Sequence, residues 1–321
     1  MVCLNMYNPL VSIIIPVYNG SNYLKQSIES ALAQTYKNIE VVVVNDGSTD
    51  DGKTERIALS YGEKIRYFYK ENGGVATALN FGIENMTGNW FSWLSHDDLY
   101  MPNKIESQIR KINELDLNTE STIISCKNGY IDANGSKVIY PNNFNSGLFS
   151  GNEMFALLLK GQNLNGCSLL IPKKALIETK GFNINYRFIQ DFTCWVDLAL
   201  NNNSFYLYDE ELVKSRLHGE QDTIRLSSVH PKEIDDFLNK LLLRFKVDVS
   251  KNKNYIKDIL FYYCTRKNNV KFSRKYKEVL IENGLFNTTD YTQYFALFVR
   301  GKIIWSMRNI YRTLVNKQYR R

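Results

Sequence analysis

The five cysteines (Cys3, Cys126, Cys167, Cys194 and Cys264) include no CxxC pair, and their number is odd. That usage argues against a disulfide framework or a zinc site and points to a reducing compartment. No basic segment followed by a long apolar run opens the chain, so no signal peptide is expected. Apolar runs are short throughout. The stretch YFALFV at 294–299 falls far below the ~20 residues that a membrane-spanning helix needs. The expected location is therefore cytoplasmic, or on the inner face of a membrane without crossing it. The glycine cradle GxGxxG is missing as well. After the first strand-like run the chain reads NGSNYL, which argues against a nicotinamide-dependent oxidoreductase. No internal repeat and no nucleic-acid-binding motif is found, so nucleic acid is not an expected partner.

What is present fits a folded chain with a real core. The 321 residues are 44% apolar and 23% charged, enough for one large domain or two modest ones. The net charge of +7 conceals a split. From Arg244 to the end there are 18 Lys/Arg and 5 Asp/Glu, a balance of +13, which leaves 22 basic and 28 acidic residues, or −6, before it. Such a split suggests a tail that meets an anionic surface.

The segment VSIIIPVYNG (11–20) has the pattern of a buried strand closed by Pro16 and Gly20. A helix should follow, with Leu24, Ile28, Ala31 and Leu32 on one face and Ser21 as its N-cap. The apolar run EVVVVNDGSTD (40–50) suits a parallel strand covered on both sides. A shorter strand is expected near KIRYFYK (64–70), and a helix over GVATALNFGIENM. The stretch NWFSWLSHDDLYMP (89–102) then supplies a strand with two carboxylates at its end. Alternating strands and helices imply βαβ units and a parallel sheet. Ligands of such sheets bind beyond the carboxyl ends of the strands, so Asp46 and the Asp97–Asp98 pair should face one crevice. Turn chemistry recurs at Asn134–Gly135 and at Pro141–Asn142–Asn143, and the chain from Pro231 onward is mostly helical and basic.

Taken alone, each acidic residue has an ordinary explanation. Asp97 and Asp98 could form a solvated turn at a strand end. Asp46 could cap the NDGSTD turn, though Asp50 and Asp51 are better placed for that task. Asp191 could cap a helix with a Phe/Trp face. Asn80 has the look of a solvent-facing helix residue, His96 should point away from its two neighbours' shared task, and Trp93 and Trp195 fit a core.

Taken together, the motifs resemble a known family. VSIIIPVYNG, EVVVVNDGSTD, ENGGVATALNFGIENMTGNWFSWLSHDD, NGCSLLIPKKAL, GFNINYRFIQDFTCWVDLAL and SRLHGEQDT are similar, in order, to the inverting family-2 glycosyltransferases of the GT-A fold. The resemblance covers about residues 10–225. It implies an α/β catalytic domain with a mostly parallel sheet over 1–230; the basic helical region over 231–321 is read from its own pattern and lies outside the resemblance. The resemblance implies transfer of a sugar, of hexosyl or N-acetylhexosaminyl type, from a nucleotide donor to a hydroxyl of a surface-glycan or lipid-linked acceptor. The donor is expected to be UDP-linked. The divalent cation, Mn²⁺ or Mg²⁺, falls to Asp98 with His218, and the ribose to Asp97. Asp46 is expected to accept the N3–H of the base, with Pro16 and Tyr18 lining its pocket and Gly73 and Gly74 letting the backbone pass close by. Asp191 is expected to be the base, with Gln190 and Trp195 near the acceptor.

Three positions depart from the family's pattern. Ser95 stands where an Asp is frequent, Gln190 where Glu is common, and Asp197 where an Arg is usual. Gln190 and Asp197 keep a rival alive, a nucleotide-binding protein without transfer activity. The tail offers two readings of equal weight. Residues 300–321 hold seven basic and no acidic side chains, with Ile303, Ile304, Met307, Ile310, Tyr311, Leu314 and Val315 at helical spacing. That pattern suits a membrane-surface helix or a helix docked on its own domain.

Overall fold

The computed structural model describes residues 7–139, 144–162, 164–226, 228–265 and 270–318. The chain falls into two compact units, Met1–Glu233 and Ile234–Arg321.

The first unit begins with alternating elements: β1 (Val11–Val17), α1 (Leu24–Leu32), β2 (Ile39–Asp46), α2 (Lys53–Leu59), β3 (Arg66–Lys70), α3 (Val75–Asn85) and β4 (Trp90–Trp93). It continues with β5 (Leu99–Tyr100), α4 (Lys104–Glu114), β6 (Thr122–Ile131), β7 (Lys137–Val138), β8 (Gly147–Phe149) and α5 (Gly151–Leu159). Then come β9 (Leu169–Pro172), α6 (Lys173–Glu178), α7 (Gln190–Leu200), β10 (Ser204–Arg216) and α8 (Asp222–Arg225). Helix α9 (His230–Lys246) starts in this unit and runs on into the second, which adds α10 (Lys253–Cys264), α11 (Val270–Glu282) and α12 (Thr288–Gln318).

The strands form one sheet in the order β3-β2-β1-β4-β9-β6-β10-β5, with β7 on β6 and β8 on β10. Strands β3, β2, β1 and β4 are mutually parallel, as the alternating pattern predicts. Every residue of β1 is buried, the condition under which an unbroken apolar run stabilises a parallel strand. Strand β9 enters antiparallel between β4 and β6, and β10 pairs parallel with β6 but antiparallel with β5 and β8. The sheet is therefore mixed, and only its first half follows simple βαβ winding.

Several local expectations change in the folded chain. Helix α1 starts at Leu24 with Tyr23 at its N-cap and no side-chain cap bond, so Ser21 does not cap it. Asp50 does hold the turn after β2: its carboxylate accepts from the Thr54 N–H and hydroxyl, at 3.0 and 2.7 Å. The Asn134–Gly135 turn joins β6 to β7, with Gly135 at φ +88°. Pro141, Asn142 and Asn143 lie outside the described residues.

Beneath the end of β4 sits a fully buried lysine. Lys104 donates to Ser92 Oγ at 2.6 Å and the Leu169 carbonyl at 3.2 Å, with its ammonium 4.2 Å from the centre of the Tyr100 ring. Burial pushes it down to about 8. Paired in this way, one side chain ties α4, β4 and β9 together.

In the second unit, Leu238, Leu241 and Phe245 of α9, Ile256, Ile259 and Leu260 of α10, and Tyr276 and Leu280 of α11 are buried. Gly301 lets α12 approach α10's end closely: a Cβ there would come within 2.8 Å of Thr265 Cα. Trp305 Nε1 donates to the Thr265 carbonyl at 2.9 Å. Helix α12 begins at Thr288, well before the basic tail, and runs to Gln318. Ile304 is 38% exposed. The side chains of Ile303, Met307, Ile310, Tyr311, Leu314 and Val315 lie outside the described residues. Among the described residues no helix is long and apolar enough to cross a membrane.

Candidate active site

Parallel pairing of β2, β1 and β4 brings their carboxyl ends to one side. Asp46 ends β2, Tyr18 follows β1, and Asp97–Asp98 follow β4. Two loops are laced together there. Asn19 Oδ1 accepts from Thr49 N–H at 2.7 Å, and the Asn19 N–H donates to Ser48 Oγ at 2.9 Å. Tyr18 is 40% exposed while Pro16 is buried within β1.

Asp46 is almost fully buried and already well bonded. Lys70 Nζ reaches its Oδ1 at 2.6 Å, Gly73 N–H donates to it at 3.1 Å, and Gly74 N–H donates to Oδ2 at 2.7 Å. The two glycines thus turn their amides toward Asp46. Gly74 needs its glycine for a φ of +90°. A Cβ on Gly73 would lie 2.6 Å from Thr77 Oγ1. Gly73 N–H also reaches Asp46 Oδ2, at 3.3 Å, so four contacts meet the about four acceptor positions that a carboxylate offers.

The acidic pair divides into two roles. Asp98 is 6% exposed, and both of its oxygens are engaged: Oδ1 accepts from the Arg216 backbone N–H at 2.8 Å, Oδ2 from the Cys167 thiol at 3.3 Å. Burial, followed by the charge of Asp97, pushes Asp98 up to about 7. Asp97 is partly exposed, and its Oδ2 lies 2.9 Å from His218 Nε2. Burial works against its ionisation, yet the His218 hydrogen bond and the nearby His96 and His218 charges outweigh it and lower its pKa. The same hydrogen bond raises His218. His218 is therefore paired with Asp97 rather than with Asp98. His96 packs on Gly20, where a Cβ would come within 2.4 Å of its ring.

Arg216 locks this corner. Its Nε donates to the Asp97 carbonyl at 2.9 Å, its guanidinium reaches Gln26 Oε1 at 2.8 Å and the Ala133 carbonyl at 3.1 Å, and it lies 4.4 Å from the centre of the Tyr23 ring. The sequence placed an Arg beside His218 without a task. Here it is a buried clamp joining β10, the acidic turn and α1.

Asp191 stands in the first turn of α7 but does not cap it. Ile189 is the N-cap residue, and Asp191 Oδ1 accepts from the Phe192 N–H at 2.7 Å. Burial pushes this carboxyl up to about 6. Gln190 is 8% exposed and Trp195 2%. Gln190 Oε1 and the indole N–H groups of Trp93 and Trp195 have no hydrogen-bond partner among the described residues. Phe182 meets Trp93 edge-on at 5.8 Å and Trp195 at 5.9 Å between ring centres. It thereby links the end of β4 to α7.

Asn80 secures that link. Its Nδ2 donates to the Phe182 carbonyl and its Oδ1 accepts from the Phe182 N–H, both at 2.8 Å. The expectation of a solvent-facing Asn80 is corrected here: the side chain is a two-pronged clamp on a segment 102 residues away. Asp46, the Asp97–Asp98 corner and Asp191 remain three separate clusters, with no direct side-chain bond between them among the described residues.

A mixed sheet with acidic residues at the carboxyl ends of β2 and beyond β4 defines an α/β protein with its candidate site at those strand ends. Comparisons with known proteins narrow the class. The family Glycosyl transferase family 2 matches residues 12–179, and the chain belongs to that family. An uncharacterized glycosyltransferase of Rickettsia typhi, RT0329, is 41% identical over 310 residues, covering 95% of this chain and 93% of its own. One from Rickettsia bellii is 51% identical over 244 residues, covering 74% of this chain and 34% of its own, so the chain spans about a third of that relative's length. Crystal structures of Staphylococcus aureus TarS 1–349 in complex with UDP and with UDP-GlcNAc each superpose with a TM-score of 0.55, at 18% and 16% identity, over 90% of both chains. That likeness identifies the fold as GT-A.

Proposed function

We infer that the protein is an inverting glycosyltransferase that moves a sugar from a UDP-linked donor to a hydroxyl of a surface-glycan or lipid-linked acceptor. The observation that carries this reading is Asp191, a carboxylate raised to about 6 on a helix anchored to the end of β4. A base poised just below neutrality is ionised at working pH yet still takes a proton. The acceptor oxygen attacks the anomeric carbon, the bond to the diphosphate breaks, and the hydroxyl proton passes to Asp191 Oδ2. The linkage formed has the configuration opposite to the donor's.

Asp46, at the carboxyl end of β2, is the carboxylate we assign to the N3–H of uracil, which would share it with the Gly73 amide now split between both oxygens. The donor named beside the TarS structures, UDP-GlcNAc, agrees with a uridine nucleotide. Tyr18, exposed at the rim, supplies a ring face for the base. Gln190, next to Asp191 and unpartnered at Oε1 among the described residues, is the polar side chain we assign to the acceptor, with Trp195 one helical turn on.

A divalent cation fits the acidic corner only in part from the protein's side. Among the described residues no group of three or more His, Cys, Asp or Glu side chains could hold a metal. Asp97 Oδ2 and His218 Nε2, now bonded to each other at 2.9 Å, would offer one oxygen and one nitrogen once the cation displaces the proton between them. Mg²⁺ and Mn²⁺ commonly take one or two protein ligands and complete their shell with water and phosphate oxygens. Asp97 and His218 would hold the ion, while Asp98, bonded at both oxygens, shapes the turn. Bound there, the cation offsets the charge of the departing diphosphate.

The basic end of α12 suits an anionic membrane surface, where a lipid-linked acceptor would be found. The exposed Tyr291 and Phe295 on the same helix support this reading, since interfacial helices combine aromatic and basic residues. A thermal-shift screen with UDP, ADP and UDP-sugars, with and without Mn²⁺, tests the donor site. Donor consumption measured with and without acceptor tests transfer. Stabilisation by ADP equal to that by UDP would refute the donor assignment.

A further inference from the structure

Three successive amides lead into α7, and one carboxylate takes all of them. Glu233 Oε1 accepts from the Arg187 N–H at 2.7 Å, and Oε2 accepts from the Phe188 and Ile189 N–H groups at 2.9 and 3.1 Å. Consecutive amides pointing inward form an anion-binding concavity, here filled by the chain's own side chain. Glu233 is only 9% exposed, so these charge-assisted bonds are shielded from solvent competition. One turn earlier, His230 meets the Phe188 ring edge-on at 4.9 Å. The first turn of α9 therefore grips residues 187–189 by backbone and by side chain.

That grip bears directly on the candidate base. Helix α7 lacks a side-chain cap, and Ile189, its N-cap residue, is one of the three held by Glu233. The Ile189 carbonyl in turn receives the Thr193 N–H at 2.9 Å, closing the first turn around Asp191. Asp191's own Oδ1 bonds only one residue ahead, to Phe192, so the helix start sets where the carboxylate points. Glu233 lies well past residues 12–179, the part matched by the family.

On the reading of Asp191 as the base, we propose that Glu233 is a positioning residue for it, acting through the backbone of residues 187–189. Glu233→Gln keeps the size but turns an NH₂ group toward backbone donors, so one side of the concavity loses its acceptor. The loop relaxes, and misplacement of a reacting group by about 1 Å costs on the order of a hundred-fold in rate.

The test is a double-mutant cycle in the full chain, scored by kcat, donor KM and the thermal shift produced by UDP. Glu233→Gln should lower kcat by roughly ten- to a hundred-fold with donor KM within about two-fold. Glu233→Asp, one methylene shorter, should fall between variant and parent. In an Asp191→Asn background, Glu233→Gln should cost less than about two-fold more, because aiming a base that cannot take a proton gains nothing. Multiplicative losses in the double variant, or an unchanged kcat in the single one, would overturn the proposal. So would a loss of the UDP thermal shift alongside kcat, which would mark general unfolding. If Asp191→Asn itself retains full transfer, the functional reading falls first, and the cycle shows which of the two failed.

Discussion

Replacing Asp191 by Asn probes the chemistry most directly. The substitution keeps the side chain's shape, and the amide oxygen can still accept from the Phe192 N–H now bonded at 2.7 Å. What is lost is the second oxygen's ability to take a proton. General-base catalysis contributes about a hundred- to ten-thousand-fold, or roughly 3–5 kcal/mol at 1.36 kcal/mol per decade. The loss should appear in kcat, with donor KM nearly unchanged, because Asp46 and the Asp97 corner lie in separate clusters. The pH profile supplies a second reading. With burial holding Asp191 at about 6, its pKa is raised above the ordinary carboxylate value of ~3.9. The active, ionised form is therefore gained as pH rises through 6 and lost below it. At pH 5 about a tenth of the enzyme carries the ionised base, so kcat should fall roughly ten-fold per unit below 6. The assay is product formation at saturating donor, which keeps titration of Asp98 and His218 from limiting the rate. A rate profile that breaks near the ordinary carboxylate value of ~3.9 would refute the raised-base assignment, as would near-parental turnover in Asp191→Asn. Retained anomeric configuration in the product, read by proton NMR, would refute direct displacement.

Other outcomes follow from the same geometry. Asp97→Asn removes the anionic oxygen beside His218 and should weaken Mn²⁺-dependent UDP binding ten-fold or more in calorimetric titration; an equal effect from Asp98→Asn alone would move the cation to the buried carboxylate. Asp46→Ala strands the Lys70 ammonium and two glycine amides, and should weaken every uridine nucleotide alike, whatever sugar it carries. A matching loss for an adenine nucleotide would point to misfolding instead. Asn80→Ala breaks both bonds to Phe182, at about 0.5–1.5 kcal/mol each, and should lower the thermal midpoint; an unchanged midpoint would show that the aromatic stack holds the segment unaided. Deleting residues 300–321 should reduce binding to anionic vesicles, since basic groups near such a surface contribute about 1 kcal/mol each. Binding that does not weaken with salt would argue against the charge mechanism.

Much of the nucleotide half was legible in the chain because its information is local. The valine run of β2, the sealed apolar β1 and the helical spacing of α3 each state their own structure, since hydrophobic period reports which faces are covered. Asp46 and the Asp97–Asp98 pair announce themselves as carboxylates at the ends of apolar strands, where the chain must leave the core. What the sequence did not reveal was who meets them. Strand β10 carries Arg216 to Asp98 across 118 residues and His218 to Asp97 across 121. Asn80 reaches Phe182, and Glu233 closes on the start of α7, with no periodic mark on either. Such partners are chosen by long-range packing: a buried amide or carboxylate must find a bond wherever the fold brings one, and no property of the residue itself says where that is. Which of Asp97 and Asp98 is bonded away was likewise decided only in three dimensions, one turning into the core toward Cys167 and the Arg216 amide and one toward His218.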